Sequence, residues 1–105
     1  MKEVDAKELK KMFDSKEDFQ LIDVREDYEI EIATLGGEHI PMADVLTQQE
    51  KIKRDKKVVI HCRSGKRSAA VIQALESQFQ FTNLYNLQGG ILAYADQVDS
   101  SLTKY

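Results

Sequence analysis

The sequence is poor in residues that cross-link a chain or bind metals: among 105 residues there are one cysteine and two histidines. The single cysteine, Cys62, excludes an internal disulfide and suits a reducing compartment, so we expect a cytoplasmic protein. A zinc site needs several convergent ligands, and His39, His61 and Cys62 do not have the spacing of one. We therefore expect no metal and no other cofactor.

Long apolar stretches are also missing. No run approaches the roughly 20 residues needed to cross a bilayer, and residues 1–8 lack the apolar segment of a secretory signal. Neither membrane association nor secretion by that route is therefore expected. The net charge of −3 argues against a general nucleic-acid binder. With 42% hydrophobic and 31% charged residues, the composition is that of an ordinary globular protein, and the length predicts one domain over residues 1–105.

Residues 57–75 contain the feature around which the chain is organised. The apolar, β-branched run at 58–60 predicts a buried strand, and residues 68–75 have the composition of a helix with a broad apolar face. Cys62 lies at the start of the loop between them. Backbone N–H groups converge at such a turn, and the helix adds partial positive charge. We therefore expect the pKa of Cys62 to lie below that of a free thiol.

The same loop is rich in positive charge, which distinguishes a reactive cysteine from an inert, packed one. Arg63, Lys66 and Arg67 follow Cys62 closely, and Gly65 permits the positive φ that wrapping around a sulfur atom requires. An inert buried thiol has no need of three cations. We predict that Arg63 and Lys66 attract an anionic ligand and that Arg67, at the far edge, holds either the loop or the ligand.

Three segments together resemble the rhodanese-type sulfurtransferases, in particular their single-domain form. Residues 62–68 (Cys-Arg-Ser-Gly-Lys-Arg-Ser) resemble the active-site loop, residues 21–26 (Leu-Ile-Asp-Val-Arg-Glu) an upstream signature, and residues 87–94 a downstream Gly-Gly segment. The segments occur in the family's order, although Tyr94 stands where the family commonly has tryptophan.

The resemblance implies a single rhodanese-like domain of the α/β class and a persulfide mechanism. A small anionic sulfur donor such as thiosulfate would load Cys62, and a thiol or protein acceptor would remove the sulfur. The substrate-binding loop would then comprise Arg63, Ser64, Gly65, Lys66, Arg67 and Ser68.

Asp23 and Arg25 are predicted to support this loop. They stand at the end of a second apolar strand, at 19–24, whose carboxyl end should share a sheet edge with Cys62. We interpret them as an ion pair that ties the strand end to a neighbouring loop, with only an indirect effect on the thiolate. His61 adjoins Cys62, but neighbours along a strand point to opposite faces, so it is a poor general base for that thiol. His39 and His61 are both interpreted as structural.

Strands and helices alternate along almost the whole chain, which predicts a central parallel sheet with helices on both faces. Further strands are expected at 2–4, 38–40 and 83–87, and Asp5 with Glu8 has the spacing of a capping box. Two predicted helices depend on their apolar periodicity. The first, over 26–33, should bury Tyr28, Ile30 and Ile32; the second, opened by Pro41, should present Met42, Val45, Leu46, Gln49 and Ile52 on one face.

Two alternative functions remain open. Phosphatases and arsenate reductases of related fold resemble this loop, but they place one more residue between cysteine and arginine than the four that separate Cys62 from Arg67. The tighter loop is sized for a sulfur atom and not for a tetrahedral phosphate. Residues 89–105 are similar to the end of rhodanese domains fused to adenylating enzymes that serve sulfur-carrier proteins, which is consistent with a sulfur-delivery or binding module.

Overall fold

Five parallel strands alternate with four α-helices in the computed structural model, which describes all 105 residues. The strands are β1 (Glu3–Val4), β2 (Gln20–Asp23), β3 (Glu38–His39), β4 (Val58–His61) and β5 (Leu84–Leu87). The helices are α1 (Ala6–Asp14), α2 (Asp27–Ile32), α3 (Lys66–Phe79) and α4 (Gly90–Gln97). The predicted α/β class is confirmed. None of the helices is both long and apolar enough to span a membrane.

The sheet has the order β1-β5-β4-β2-β3, and all neighbouring strands pair in parallel. The register aligns Asp23 of β2 with His61 of β4, and Ile60 of β4 with Asn86 of β5. Because parallel strands end at the same edge, the carboxyl ends of these three strands meet there. The loop that begins at Cys62 leaves the central strand at that edge.

Apolar side chains from alternate strand positions form one core on each face of the sheet. On the α3 face, Val58, Ile60 and Cys62 belong to the larger cluster, while Val59 packs on the face of α1 and α4. The alternation that separates Val58 from Val59 also separates Cys62 from His61. Burial on both faces explains why β4 is apolar in three consecutive residues, Val58 to Ile60.

Helix α1 begins where its capping residues predict. The Asp5 carboxylate accepts from the N–H of Glu8 at 2.8 Å, and the Glu8 carboxylate accepts from the N–H of Asp5 at 3.1 Å. This reciprocal pair satisfies two N–H groups that the helix leaves free, so the predicted capping box is confirmed.

The predicted buried face of α2 is wrong at Tyr28 and Ile32, while Ile30 is half-buried. Tyr28 is 63% exposed and Ile32 38% exposed, whereas Glu29 is only 2% exposed. Apolar periodicity selects the tyrosine and isoleucines, but the helix is turned so that the carboxylate of Glu29 meets Arg67 of α3. An ion pair between elements distant in sequence has overridden the local pattern.

The α-helix predicted after Pro41 is also wrong, because this segment forms only two 3₁₀ turns, Met42–Asp44 and Gln49–Lys51. Of the predicted face, Val45 and Ile52 are buried, while Met42 and Leu46 remain exposed. The Thr47 hydroxyl donates to the carbonyl of Asp44 at 3.0 Å. Side-chain bonds of this kind compete with regular helix, and two buried residues give little packing to oppose them.

Candidate active site

The sulfur of Cys62 lies at the centre of the β4–α3 loop and receives hydrogen bonds from it. The N–H of Gly65 donates to Sγ at 3.1 Å and that of Ser68 at 3.5 Å, while Ser68 Oγ lies 3.4 Å from the sulfur. Gly65, at φ 102°, is the N-cap of α3, so its left-handed conformation turns the loop back over the thiol. The cysteine itself is only 1% exposed.

Two opposing effects act on the Cys62 thiol. Burial alone would raise its pKa, because charge is disfavoured away from water. Hydrogen bonds from the hydroxyl and N–H of Ser68, and from the N–H groups of Gly65 and Ser64, outweigh this effect and hold the pKa below its ordinary value. The loop is therefore suited to holding a negative charge on sulfur.

Asn86 of β5 supports the loop from behind. Its Oδ1 accepts from the hydroxyl of Ser68 at 2.5 Å, and its Nδ2 donates to the carbonyl of Gly65 at 3.1 Å. A hydroxyl carries one proton, so Ser68 donates either to Asn86 or to a thiolate at Cys62. Asn86 is 4% exposed and was not identified from the sequence. A polar residue within the otherwise apolar strand Leu84–Leu87 was the available signal.

The N-terminus of α4 holds the other side of the loop. The N–H groups of Ile91 and Leu92 donate to the carbonyls of Cys62 at 3.0 Å and Arg63 at 3.2 Å. Gly90 has φ +62°, and a Cβ atom there would lie 2.3 Å from the carbonyl oxygen of Arg63 and 2.6 Å from that of Cys62. Only glycine fits this approach, which gives the Gly-Gly segment a defined steric role.

The three cations of the loop are placed differently. Arg63 and Lys66 are exposed, whereas Arg67 forms two hydrogen bonds with the buried carboxylate of Glu29, at 2.7 and 2.8 Å. The bond from Arg67 lowers the pKa of Glu29 to about 2, against the opposing effect of burial and with help from the hydroxyl of Tyr105. The sequence predicts that Arg67 holds either the loop or the ligand. In the structure its side chain ties the end of the loop to α2. Glu29 and Tyr105 were not identified from the sequence.

Asp23 and Arg25 form a buried ion pair at the end of β2. Arg25 Nη2 lies 2.8 Å from Asp23 Oδ2, and the same nitrogen donates to the carbonyl of Ala33 at 2.8 Å. Burial is the largest single effect and would raise the pKa of Asp23, but the hydrogen bonds and charge of Arg25, with a contribution from His61, together hold this pKa below its ordinary value. The pair ties the strand end to the end of α2, and neither side chain contacts the Cys62 sulfur.

Neither histidine forms a hydrogen bond with the Cys62 thiol. His61 is fully buried, its Nε2 lies 3.6 Å from Asp23 Oδ2, and its ring nitrogens have no hydrogen-bond partner. Burial lowers the pKa of His61 to about 4, so the ring is neutral near pH 7. His39 Nε2 lies 2.6 Å from the carbonyl of Arg25. No group of three or more His, Cys, Asp or Glu side chains is arranged to hold a metal ion.

The cysteine loop follows the central strand of a parallel sheet, and a helix that begins with glycine packs against it. The comparison with known families agrees with this arrangement. The sequence model of the rhodanese-like domain matches residues 5–97. The chain belongs to the rhodanese-like domain family.

Two adenylyltransferase and sulfurtransferase proteins are similar to this chain over different lengths. The adenylyltransferase and sulfurtransferase UBA4 of Saccharomyces cerevisiae is 34% identical over 65 residues, which cover 59% of this chain and 15% of that protein. The probable adenylyltransferase/sulfurtransferase MoeZ of Mycobacterium tuberculosis is 30% identical over 105 residues, which cover 97% of this chain and 26% of that protein. The rhodanese-like chain thus spans about a quarter or less of these relatives.

A solved structure of matching size is also similar. A rhodanese-like domain protein from Staphylococcus aureus superposes with a TM-score of 0.82 at 28% identity, and the match covers 93% of this chain and 95% of that one. The rhodanese-like fold therefore accounts for nearly the whole chain.

Proposed function

We propose that this rhodanese-like domain, residues 1–105, is a sulfurtransferase that moves sulfane sulfur from a small anionic donor such as thiosulfate to a thiol acceptor through a persulfide on Cys62. The observation that carries the proposal is the pair of hydrogen bonds to Cys62 Sγ from the N–H groups of Gly65 and Ser68, with the Ser68 hydroxyl oxygen 3.4 Å from the sulfur. These donors stabilise an anion on sulfur before and after transfer. Membership of the rhodanese-like family supports the same reaction class.

In the first half of the reaction, the Cys62 thiolate attacks the outer sulfur of thiosulfate. A new S–S bond forms at Cys62, the S–S bond of thiosulfate breaks, and sulfite leaves with its electron pair. In the second half, an acceptor thiolate or cyanide attacks the terminal sulfur of the persulfide. The bond to Cys62 Sγ then breaks and the thiolate is restored, so the domain is neither oxidised nor reduced over the cycle.

The sulfur must leave to another molecule, because the chain has no second cysteine to form a disulfide with Cys62. Arg63 and Lys66 are exposed beside the loop and supply charge that attracts an anionic donor. We infer that the acceptor is a thiol or a protein, and the names of UBA4 and MoeZ as adenylyltransferase and sulfurtransferase support a sulfur-carrier protein. A lone reduced thiol suits the cytoplasm, where we propose that the domain acts.

Intact-mass analysis after exposure to thiosulfate tests the proposal. The parent should gain the mass of one sulfur atom, lose it to cyanide as thiocyanate, and show no turnover of an aryl phosphate. The Cys62→Ser variant should gain nothing. Sulfur addition to that serine variant would refute the role of Cys62, and aryl phosphate turnover that depends on Cys62 would favour a phosphatase.

A further inference from the structure

The segment that follows α4 returns to the cysteine loop and ends at Tyr105. A turn at Asp99 reverses the chain, with the carboxylate accepting from the N–H of Ser101 at 3.1 Å. Leu102 then packs against the core on the α1 and α4 face, and Lys104 pairs with Asp96 of α4. These contacts carry residue 105 back towards the edge of the sheet where the Cys62 loop lies.

The Tyr105 hydroxyl is fixed by two buried groups. It donates to Glu29 Oε2 at 2.6 Å and accepts from Arg25 Nη1 at 2.8 Å. Glu29 is 2% exposed and Arg25 is fully buried, so both partners are themselves held in place. The orientation of the Tyr105 ring therefore follows from α2 and from the end of β2.

The face of this ring holds the first cation of the loop. The Cζ atom of Arg63 lies 4.9 Å from the ring centroid of Tyr105, within the range of a cation–π contact. The Arg63 side chain is exposed and forms no hydrogen bond or ion pair, so the ring is the partner that restricts it. Lys66, by contrast, has no such partner and keeps its rotamer freedom.

We propose that Tyr105 is a positioning residue for anions that approach Cys62, because its ring holds the Arg63 guanidinium at the mouth of the loop. A cation fixed in advance costs less conformational entropy when it binds an anion. The one carboxylate bonded to Tyr105, that of Glu29, is already neutralised by Arg67. The charge of Arg63 is therefore available to a ligand. The inference rests on the proposed function only in taking the natural donor to be anionic.

Alkylation of Cys62 by a charged and a neutral reagent measures this effect without any sulfur transfer. The same thiolate attacks iodoacetate and iodoacetamide and displaces iodide from each. The ratio of the two rates therefore cancels the effect of the Cys62 pKa and reports the local positive potential. Tyr105→Leu should lower the ratio roughly two-fold to five-fold, which corresponds to one exposed cation–π contact. Tyr105→Phe keeps the ring but loses the hydroxyl that orients it, so its ratio should fall between those of the parent and of Tyr105→Leu. Tyr28→Leu, at an exposed tyrosine outside this network, is the matched control.

A double-mutant cycle shows whether Tyr105 acts through Arg63. Arg63→Gln should lower the ratio, and adding Tyr105→Leu should lower it no further. Losses that multiply, or a Tyr105→Leu ratio equal to that of the parent, would overturn the proposal. If Tyr105→Leu does not fold, Arg63→Lys tests the same contact, because it keeps the charge but loses the planar group. A parental ratio in Arg63→Lys would then count against the proposal.

Steady-state kinetics gives a second readout. Tyr105→Leu should raise the KM for thiosulfate with little change in kcat, and the dependence of KM on ionic strength should weaken. A fall in kcat at unchanged KM would contradict the positioning role. If the parent formed no persulfide, the proposed function would fail while the alkylation ratio still decided the role of Tyr105.

Discussion

At the scale of single residues, two effects set the pKa of Cys62: burial disfavours a charged sulfur, and hydrogen bonds to the sulfur favour it. Ser68 contributes both a hydroxyl and an N–H, more than any other residue around the sulfur. Its hydroxyl is also the group that Asn86 orients. The chemistry of the thiol should therefore respond to Ser68 more than to the exposed residues of the loop.

Ser68→Ala should raise the pKa of Cys62, because the hydroxyl that stabilises the thiolate is lost. A hydrogen bond to a charged group is worth enough to lower the iodoacetamide rate near pH 7 roughly ten-fold. The measurement is the alkylation rate as a function of pH. Ser64→Ala is the control, since Ser64 acts only through a backbone N–H that alanine keeps. A parental pH profile in Ser68→Ala would contradict this account of the thiolate.

Arg67→Ala and Lys66→Ala should separate stability from donor binding. Loss of Arg67 leaves the Glu29 carboxylate buried without its main partner, which should lower the free energy of unfolding by about 2 kcal/mol. Lys66 is exposed, so its removal should change stability by less than about 0.5 kcal/mol but should raise the KM for thiosulfate more than it lowers kcat. Denaturant unfolding and steady-state kinetics test the pair. Equal losses of stability in the two variants, or a Lys66→Ala defect in kcat alone, would refute the assignment of stability to Arg67 and of donor binding to Lys66.

Among secondary structure elements, the cysteine loop is held between two helix N-termini. Gly65 is the N-cap of α3 on one side. On the other side, the N–H groups of Ile91 and Leu92 in the first turn of α4 donate to the carbonyls of Cys62 and Arg63. The close approach of α4 depends on Gly90. Because both helices bond the same few residues, a shift in either one should move the donors around the sulfur.

Gly90→Ala should disrupt this arrangement. The new Cβ would lie 2.3 Å from the carbonyl oxygen of Arg63, and φ is +62°. We expect a loss of about 3 kcal/mol in unfolding free energy together with loss of persulfide formation. Gly36→Ala is the control, because φ there is +82° but no atom lies within 4 Å of the added carbon. It should cost about 1 kcal/mol and leave sulfur transfer intact; similar effects of the two variants would exclude a steric role for Gly90.

For the whole molecule, the edge where β2, β4 and β5 end concentrates buried ionisable groups behind the loop. His61 is held neutral there, with its pKa lowered to about 4, and Glu29 of the adjoining α2 is held charged, with its pKa lowered to about 2. In both cases the unfolded chain binds a proton more readily than the folded one, so stability falls with decreasing pH. The two groups should act in successive pH ranges.

The free energy of unfolding should fall in two steps on acidification. The first lies between pH 6.5 and about 4 and belongs to His61; the second lies between 4.5 and about 2 and belongs to Glu29. Each step should be up to about 3 kcal/mol. Denaturant unfolding across this pH range, with His61→Gln and Glu29→Gln, should show each variant losing only its own step. Loss of the upper step in Glu29→Gln would show that the assignment is wrong.

Local sequence was sufficient for the parts of the molecule that depend on neighbours in the chain. The α/β class follows from the alternation of apolar periods, and the capping box follows from Asp5 and Glu8, three residues apart. The cysteine loop could be identified because the strand, Cys62, Gly65 and the cations lie within one short stretch. In each case the interacting groups are close along the chain, so spacing alone carries the information.

Only the tertiary structure decided which polar residues are buried around that loop. Asn86 contacts Ser68 from 18 positions away, Glu29 meets Arg67 from 38 positions away, and Tyr105 meets Glu29 from 76. The local pattern of α2 favoured burial of Tyr28 and Ile32, because periodicity records hydrophobicity but not the partner that a carboxylate will find. A buried charge is tolerated only where such a partner is brought to it by the fold, and that depends on how distant strands and helices pack.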